Sequence, residues 1–282
     1  MQEQQSHRSP ASIVAAYGRR IGADGKPAYF RLHRHRFTAL LAALRHDAAS
    51  EVLEIGATPG QFTAMLVDAG YRVSAIDLFP EERAALWRSL GVEIQFCNLD
   101  EQPLPFASGR FDAVIFSEVI EHLAGSPLPA LREMVRVLRP GGRLILTTPN
   151  QLYLKSRLRT LLDIVLGRPF EPFSEFQRSM QLHGPQRYYN HSRLYTMQEL
   201  GWLLQQAGLH IATARYVDAW ERVGVERGRL LQHPLRVMAK AALIGLGLCL
   251  PQLRSMLLLI GRKSDTLPER TMQLRAHPFA ES

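Results

Sequence analysis

The sequence predicts an α/β domain, with a doubly wound sheet of parallel strands and helices on both faces. Three observations predict it. Short apolar runs alternate with helix-like stretches from residue 51 onward. A glycine-spaced turn, in VLEIGATPGQFT (52–63), joins the first run to the helical stretch after it. An acid, Asp77, closes the second run about twenty residues beyond that turn, as nucleoside-binding βαβ units do.

The elements follow in order. Residues 1–50 precede the alternation and form an N-terminal helical extension. EVLEIG (51–56), YRVSAID (71–77), VEIQFC (92–97), FDAVIFS (111–117) and RLILTTP (143–149) are short, rich in Val and Ile, and bounded by Gly, Pro, Asp or Asn. Such runs are strands buried on both faces. Between them, GQFTAMLVDAG, PEERAALWRSLG and PLPALREMVRVLRPGG carry apolar residues at helical spacing. Pro80 marks one helix start, and Gly70, Gly91 and Gly141 sit just past helix ends. Residues 51–150 therefore form the core, and the rhythm changes after them. A helix-like stretch, QLYLKSRLRTLLDIVLG, opens an irregular cap over 151–195. TMQELGWLLQQAG (196–208) is helical again, with Thr196 as N-cap and Glu199 completing a capping box. LHIATARYV (209–217) and SMLLLIGRK (255–263) bring the strands to seven, so 196–263 returns to the core. A helical insertion at about 225–252 separates those two strands, and 264–282 is a tail.

At 282 residues, 46% apolar and 21% charged, the chain is long enough for one large domain with additions and is not broadly disordered. Its two cysteines, Cys97 and Cys249, provide neither a disulfide framework nor metal-ligand spacing. The polar N-terminus lacks the apolar core of a signal peptide, so a cytoplasmic location is expected. The net charge of +8 is uneven. Residues 1–46 carry eight Arg or Lys against Glu3 and Asp24, a net +6. Residues 222–282 carry ten against four acids, again +6, while the middle is mildly acidic. Basic ends of this kind either meet something anionic or are a solvated surface.

The turn after the first strand serves nucleosides generally. Gly56-Ala-Thr-Pro-Gly60 does not match the dinucleotide spacing G-x-G-x-x-G, and no Lys-Ser/Thr follows as a phosphate loop requires. What remains is Glu54 two residues before Gly56, with Gly60 four residues after it. A ligand with a cationic amino-acid part and no pyrophosphate suits that pattern. Asp77 can accept two hydrogen bonds from a ribose diol, or it can cap the helix near Pro80.

Residues 50–150 resemble the class I S-adenosylmethionine-dependent methyltransferases. The resemblance rests on an ordered series: Glu54-Ile-Gly-Ala-Thr-Pro-Gly60, Asp77, Asn98-Leu-Asp-Glu-Gln-Pro-Leu-Pro-Phe106 and Phe111-Asp112. It continues through Ser117-Glu-Val-Ile-Glu-His-Leu123, Arg136-Val-Leu-Arg-Pro-Gly-Gly142 and Thr147-Thr-Pro-Asn150. Leu194-Tyr-Thr196, Glu199-Leu200 and Ala207-Gly208 are similar to the branch that methylates saccharides, lipids and quinones. The resemblance implies a Rossmann-like, seven-stranded, mostly parallel sheet whose last strand is antiparallel. It also implies S-adenosylmethionine as cofactor. Carried over residue by residue, Gly56 and Gly60 let the backbone approach the methionine part, Glu54 is the motif acid, and Asp77 holds the ribose. Asn98 or Asp100 meets the adenine amino group, with Leu99 between them on the same edge. Thr58 stands where a middle glycine is common, and its branched side chain restricts the backbone there. Ser117 offers its carbonyl to the cofactor ammonium; Glu118 meets that ammonium by charge or caps the short helix.

Methyl transfer from a sulfonium is an in-line displacement that needs no metal and no covalent intermediate; alignment alone supplies about 7–11 kcal/mol. A hydroxyl acceptor also gains about 10²–10⁴-fold from a base. His122 is the candidate base, the alternatives being a pocket-lining ring or a bond to Glu118 or Glu121. Tyr188, Tyr189, His191 and Tyr195 either face the acceptor or pack over the sheet edge. The expected acceptor is a small molecule, a saccharide or a lipid-linked compound, methylated at oxygen. Nucleic acid is disfavoured: no Asn/Asp-Pro-Pro-aromatic motif follows the fourth strand, and no Pro-Cys pair is present. RNA methylation and cofactor binding without transfer remain the alternatives. The apolar run 237–250 is shorter than the about 20 residues that span a bilayer. Flanked by Arg227, Arg229, Arg236 and Arg254, it either lies on the anionic inner face of a membrane, through 225–254, or packs on the core or a second copy.

Overall fold

The computed structural model describes residues 8–44, 51–169, 177, 191–221 and 234–264. Its strands are β1 (Glu51–Ile55), β2 (Arg72–Asp77), β3 (Glu93–Phe96), β4 (Phe111–Ser117), β5 (Leu138–Pro149), β6 (Leu209–Val217) and β7 (Met256–Lys263). They form one sheet in the order β3-β2-β1-β4-β5-β7-β6. β1 to β5 pair in parallel, and β7 runs antiparallel between β5 and β6, as expected for the last strand. Chain order reverses between β1 and β4, where open α/β sheets form their ligand crevice.

The period-2 pleat explains why the central strands are continuous apolar runs. Leu53, Ile55, Val114, Phe116, Leu144, Leu146, Leu257 and Leu259 enter the core on one face of the sheet. Val52, Ala113, Ile115, Ile145, Leu258 and Ile260 enter the core on the other. The helices α5 (Leu128–Val137) and α7 (Met197–Gln206) cover the first face. The other is covered by α1 (Pro10–Arg20), α2 (Pro27–Leu44) and α3 (Gln61–Asp68), while α4 (Ala84–Leu90) packs Trp87 against Ala57 and Ala75. The capping box of α7 is present: Thr196 N donates to Glu199 Oε2 at 2.7 Å, and Glu199 N donates to Thr196 Oγ1 at 3.3 Å.

One boundary differs from expectation. β5 begins at Leu138, five residues before Arg143, so Gly141 lies inside a strand and not past a helix end. Leu138 pairs with Phe111 across a register shift, and the Lys263 ammonium donates to the carbonyls of Val135 (2.7 Å) and Leu138 (2.6 Å). These long-range bonds end α5 at Val137.

The additions on either side of the core differ. α2 packs Phe37, Leu40, Leu41 and Leu44 inward, and Arg143 from β5 donates to the carbonyls of Ala43 and Leu44 at 3.2 Å each, closing the end of the helix. By contrast α6 (Leu154–Val165) has no buried residue, and α8 (Pro234–Cys249) exposes Met238, Leu246 and Leu248. No helix among the described residues is long and apolar enough to cross a membrane.

Candidate functional site

Two adjoining cavities open at the β1/β4 crevice. The smaller, about 90 Å³, is walled by Tyr29, Arg36, Glu54, Gly56, Ser117 and Glu118. The larger, about 350 Å³, runs from Asp77 past Asn98, Leu99 and Asp100 to His122. Gly56 and Thr58 line both.

The loop after β1 adopts the conformation its glycines allow. Gly56 and Gly60 have φ of 73° and 86°, and a Cβ on Gly56 would lie 2.6 Å from Val119 Cγ2. Thr58 keeps an ordinary negative φ, so its branched side chain does not strain the turn. Its N–H donates to Asp77 Oδ2 at 2.8 Å, while Phe79 N–H donates to Asp77 Oδ1 at 3.0 Å. Asp77 thus fastens the glycine loop to the end of β2 and still lines the larger cavity. Asn98 Oδ1 accepts from Asp100 N at 3.2 Å. The Asp100 carboxylate accepts from Ala124 N (3.1 Å) and Gly125 N (3.4 Å), tying the loops after β3 and β4 together.

Glu54 is 5% exposed and accepts from Thr63 Oγ1 at 2.6 Å. Burial pushes its carboxyl up to about 8; the Thr63 bond and nearby Arg36 oppose that, and Asp77 reinforces it. Ser117 Oγ bonds Thr147 Oγ1 at 2.8 Å.

Of the two roles expected of Glu118, the structure rules out one. It caps no helix: the turn at Ile120–His122 begins at Val119 without a side-chain cap. Its carboxylate lies 3.5 Å from the guanidinium of Arg36, delivered by α2, and its backbone sits at φ 56°. Burial raises the Glu118 carboxyl, against the pull of Arg36. Burial disfavours the Arg36 charge, but Tyr29, Glu118 and Glu121 more than offset it, and its pKa is raised. Tyr29 Oη accepts from Arg36 Nη2 at 3.0 Å. Arg36 Nε and Glu118 Oε1 are both buried without a hydrogen-bond partner among the described residues. A buried cation and a buried anion, each with one unsatisfied atom, suit a zwitterionic amino-acid group. The sequence reading missed Arg36, whose place in a basic, aromatic helix looks like surface; its i, i+7 spacing from Tyr29 was the available signal.

At the other end of the larger cavity, His122 packs against His191 with ring centroids 4.8 Å apart and planes at 71°. Burial and His122 lower the His191 pKa. Glu121, 1% exposed, accepts from Thr148 Oγ1 at 2.8 Å, and burial followed by Glu118 pushes its carboxyl up to about 8. One ligand-type atom from each of Glu121, His122 and His191 lies within 4.8 Å of the others. Tyr195 is core, packed among Leu200 and Leu204, and does not face the cavity. Tyr188 and Tyr189 lie outside the described residues, as do Arg227 and Arg229. Arg254 is not presented to a surface partner: its Nε donates to Gly247 O at 2.8 Å and its Nη1 to Tyr216 O at 3.2 Å.

Comparison with known proteins adds a family. A methyltransferase-domain profile matches residues 29–214, well over half of the chain. The chain is 31% identical over 137 residues to malonyl-(acyl-carrier protein) O-methyltransferase of Enterobacter lignolyticus (strain SCF1), covering 49% of this chain and 53% of that one. It is 34% identical over 152 residues to ubiquinone biosynthesis O-methyltransferase of Xanthomonas axonopodis pv. citri (strain 306), covering 51% and 62%. The chain thus spans between about half and two thirds of the length of these relatives. A solved S-adenosylmethionine dependent methyltransferase from Mesorhizobium loti shares the fold at a TM-score of 0.52, with 17% identity, 81% of this chain and 98% of that one covered.

Proposed function

The chain belongs to the class I S-adenosylmethionine-dependent methyltransferases, and from that premise we propose that it moves a methyl group to a hydroxyl oxygen of a small-molecule, saccharide or lipid-linked acceptor. The observation that carries the reading is the paired cavity. A compact ionic compartment at Arg36 and Glu118 adjoins a larger cleft that begins at Asp77 and ends at two histidines. S-adenosylmethionine, when bound, supplies the methyl group from its sulfonium.

The residues of the chain do the rest. Arg36 and Glu118 bind opposite charges of the amino-acid end, with Glu54 and the Ser117 carbonyl beside them. Gly56 keeps the loop clear of that end. Asp77 receives the ribose hydroxyls through the lone pairs that Thr58 and Phe79 leave over. Asn98, Leu99 and Asp100 line the adenine edge. His122 stands at the acceptor end, where a ring nitrogen can take the proton that the acceptor hydroxyl loses. The oxygen acceptor is supported by the two O-methyltransferase relatives. A lipid-linked acceptor is supported by the apolar residues that α8 exposes.

The test is to incubate the protein with label-bearing S-adenosylmethionine and fractionated cell extract. Label in the glycan, lipid or small-molecule fraction is expected. Label confined to RNA or protein overturns the acceptor class, and tight cofactor binding with no transfer to any fraction overturns the activity. Asp77→Ala should weaken cofactor binding by about 1.5–3 kcal/mol per lost bond, measured by calorimetry on the folded variant; unchanged affinity removes Asp77 from the site.

A further inference from the structure

Glu121 and His122 leave the turn after β4, while His191 arrives from far along the chain. The meeting is built. The Glu121 carbonyl accepts from Ser192 N (2.7 Å) and Arg193 N (3.3 Å), so the residues just after His191 are tied to the backbone of Glu121. Thr148 on β5 fixes the Glu121 carboxylate from behind, donating to Oε2 at 2.8 Å, the kind of outer bond that orients metal ligands. The two imidazoles meet edge to face, and His122 lines the larger cavity.

We propose that Glu121, His122 and His191 bind a divalent first-row transition-metal cation at the acceptor end of the cleft. Two imidazoles and one carboxylate suit such a cation better than magnesium, which demands oxygen ligands. Ligand atoms about 2.0–2.2 Å from one ion stand roughly 3–3.4 Å apart, so the widest separation, within 4.8 Å, has to close by at most about 1.4–1.8 Å. His191 is exposed and can make that adjustment by rotation of its side chain. Three protein ligands leave coordination positions open toward the cavity, the pattern of a catalytic and not a structural site. Those positions suit an acceptor with adjacent oxygens, such as a vicinal diol or a catechol. This consequence for the acceptor rests on the methyl-transfer reading; the cation binding does not. With a cation on its ring, His122 would be a ligand and not the base; the cation would lower the pKa of the acceptor hydroxyl, whose proton would pass to solvent before the oxygen takes the methyl group from the sulfonium.

The test uses the full chain, stripped with a chelator and titrated with cobalt(II) and separately with magnesium. One equivalent of cobalt is expected, with visible d–d absorption and affinity far above that for magnesium. His191→Ala and His122→Ala should each lower cobalt affinity by more than the about 10–100-fold that outer-shell changes cost. Glu121→Gln, which keeps the shape and the Thr148 bond, should do the same without unfolding the turn. No saturable cobalt binding overturns the site, as does binding that both histidine variants leave intact. Cofactor affinity measured in parallel keeps the two readings apart: a cation site that fails while S-adenosylmethionine still binds and methyl transfer persists overturns this site alone.

Discussion

The two basic ends of the chain carry the same net charge, +6 over residues 1–46 and +6 over residues 222–282, yet their helices meet the core differently. α2 turns its apolar stripe onto the sheet, with Leu40 and Leu44 fully buried, and sends Arg36 through that layer to Glu118. α8 leaves Leu246 and Leu248 at 40% and 63% exposure, and the one flanking arginine whose side chain is described, Arg254, serves the protein's own carbonyls. Net charge therefore says little about what a segment does. Burial decides it, because the same guanidinium is a solvated ornament outside and half of an ionic site inside.

The sharpest break in this comparison is Arg36→Ala. It leaves Glu118 buried without its cation, and the loss of one partner from a buried pair costs about 3–5 kcal/mol. The cost should be largest above neutral pH and shrink as pH falls, since a carboxyl already raised by burial then takes up a proton. Denaturant titrations at two pH values measure both, and a cost below about 1 kcal/mol at the higher pH would place Arg36 among surface arginines.

Glu54 offers a second test of how far the α2 side of the cleft is desolvated. Its folded pKa of about 8 lies above the ordinary 4.5, so the folded protein holds an extra proton between those values. The contribution to stability is full below pH 4.5 and falls as pH rises through 8. A cationic ligand reverses the preference and favours the carboxylate. S-adenosylmethionine affinity should then rise toward pH 8 with proton release on binding, read by calorimetry in buffers of different ionisation enthalpy. Glu54→Gln should flatten both profiles; a flat profile in the unaltered protein would put Glu54 outside the ligand's field.

The smallest expected effect belongs to α8. Leu246→Ser with Leu248→Ser should change stability by less than about 1 kcal/mol, because both side chains already meet solvent. The same pair should abolish binding to anionic vesicles. That binding, if the helix lies on a membrane, weakens as screening shortens from about 10 Å at 0.1 M salt to about 3 Å at 1 M. A loss of several kcal/mol would instead mean that α8 is core.

The core strands and the loop were legible because they obey local rules. Buried parallel strands are written as continuous apolar runs, and the Gly56 loop and the Thr196 capping box are set by residues four or fewer apart. β5 starts five residues before its apolar run because its start depends on Phe111 and Lys263, which no local pattern contains. Asp77 was named from its position at the end of a strand, yet its bonds to Thr58 and Phe79 came only from the fold. The sequence by itself determined the alternating architecture, the glycine turn and the acid after β2, since each is written within one βα unit. Only the tertiary structure decided that Arg36 enters the site and that His191 meets Glu121 and His122. Those partners lie tens of residues apart, and what joins them is the energy of burying charge and closing the sheet, which acts through space and leaves no period in the chain.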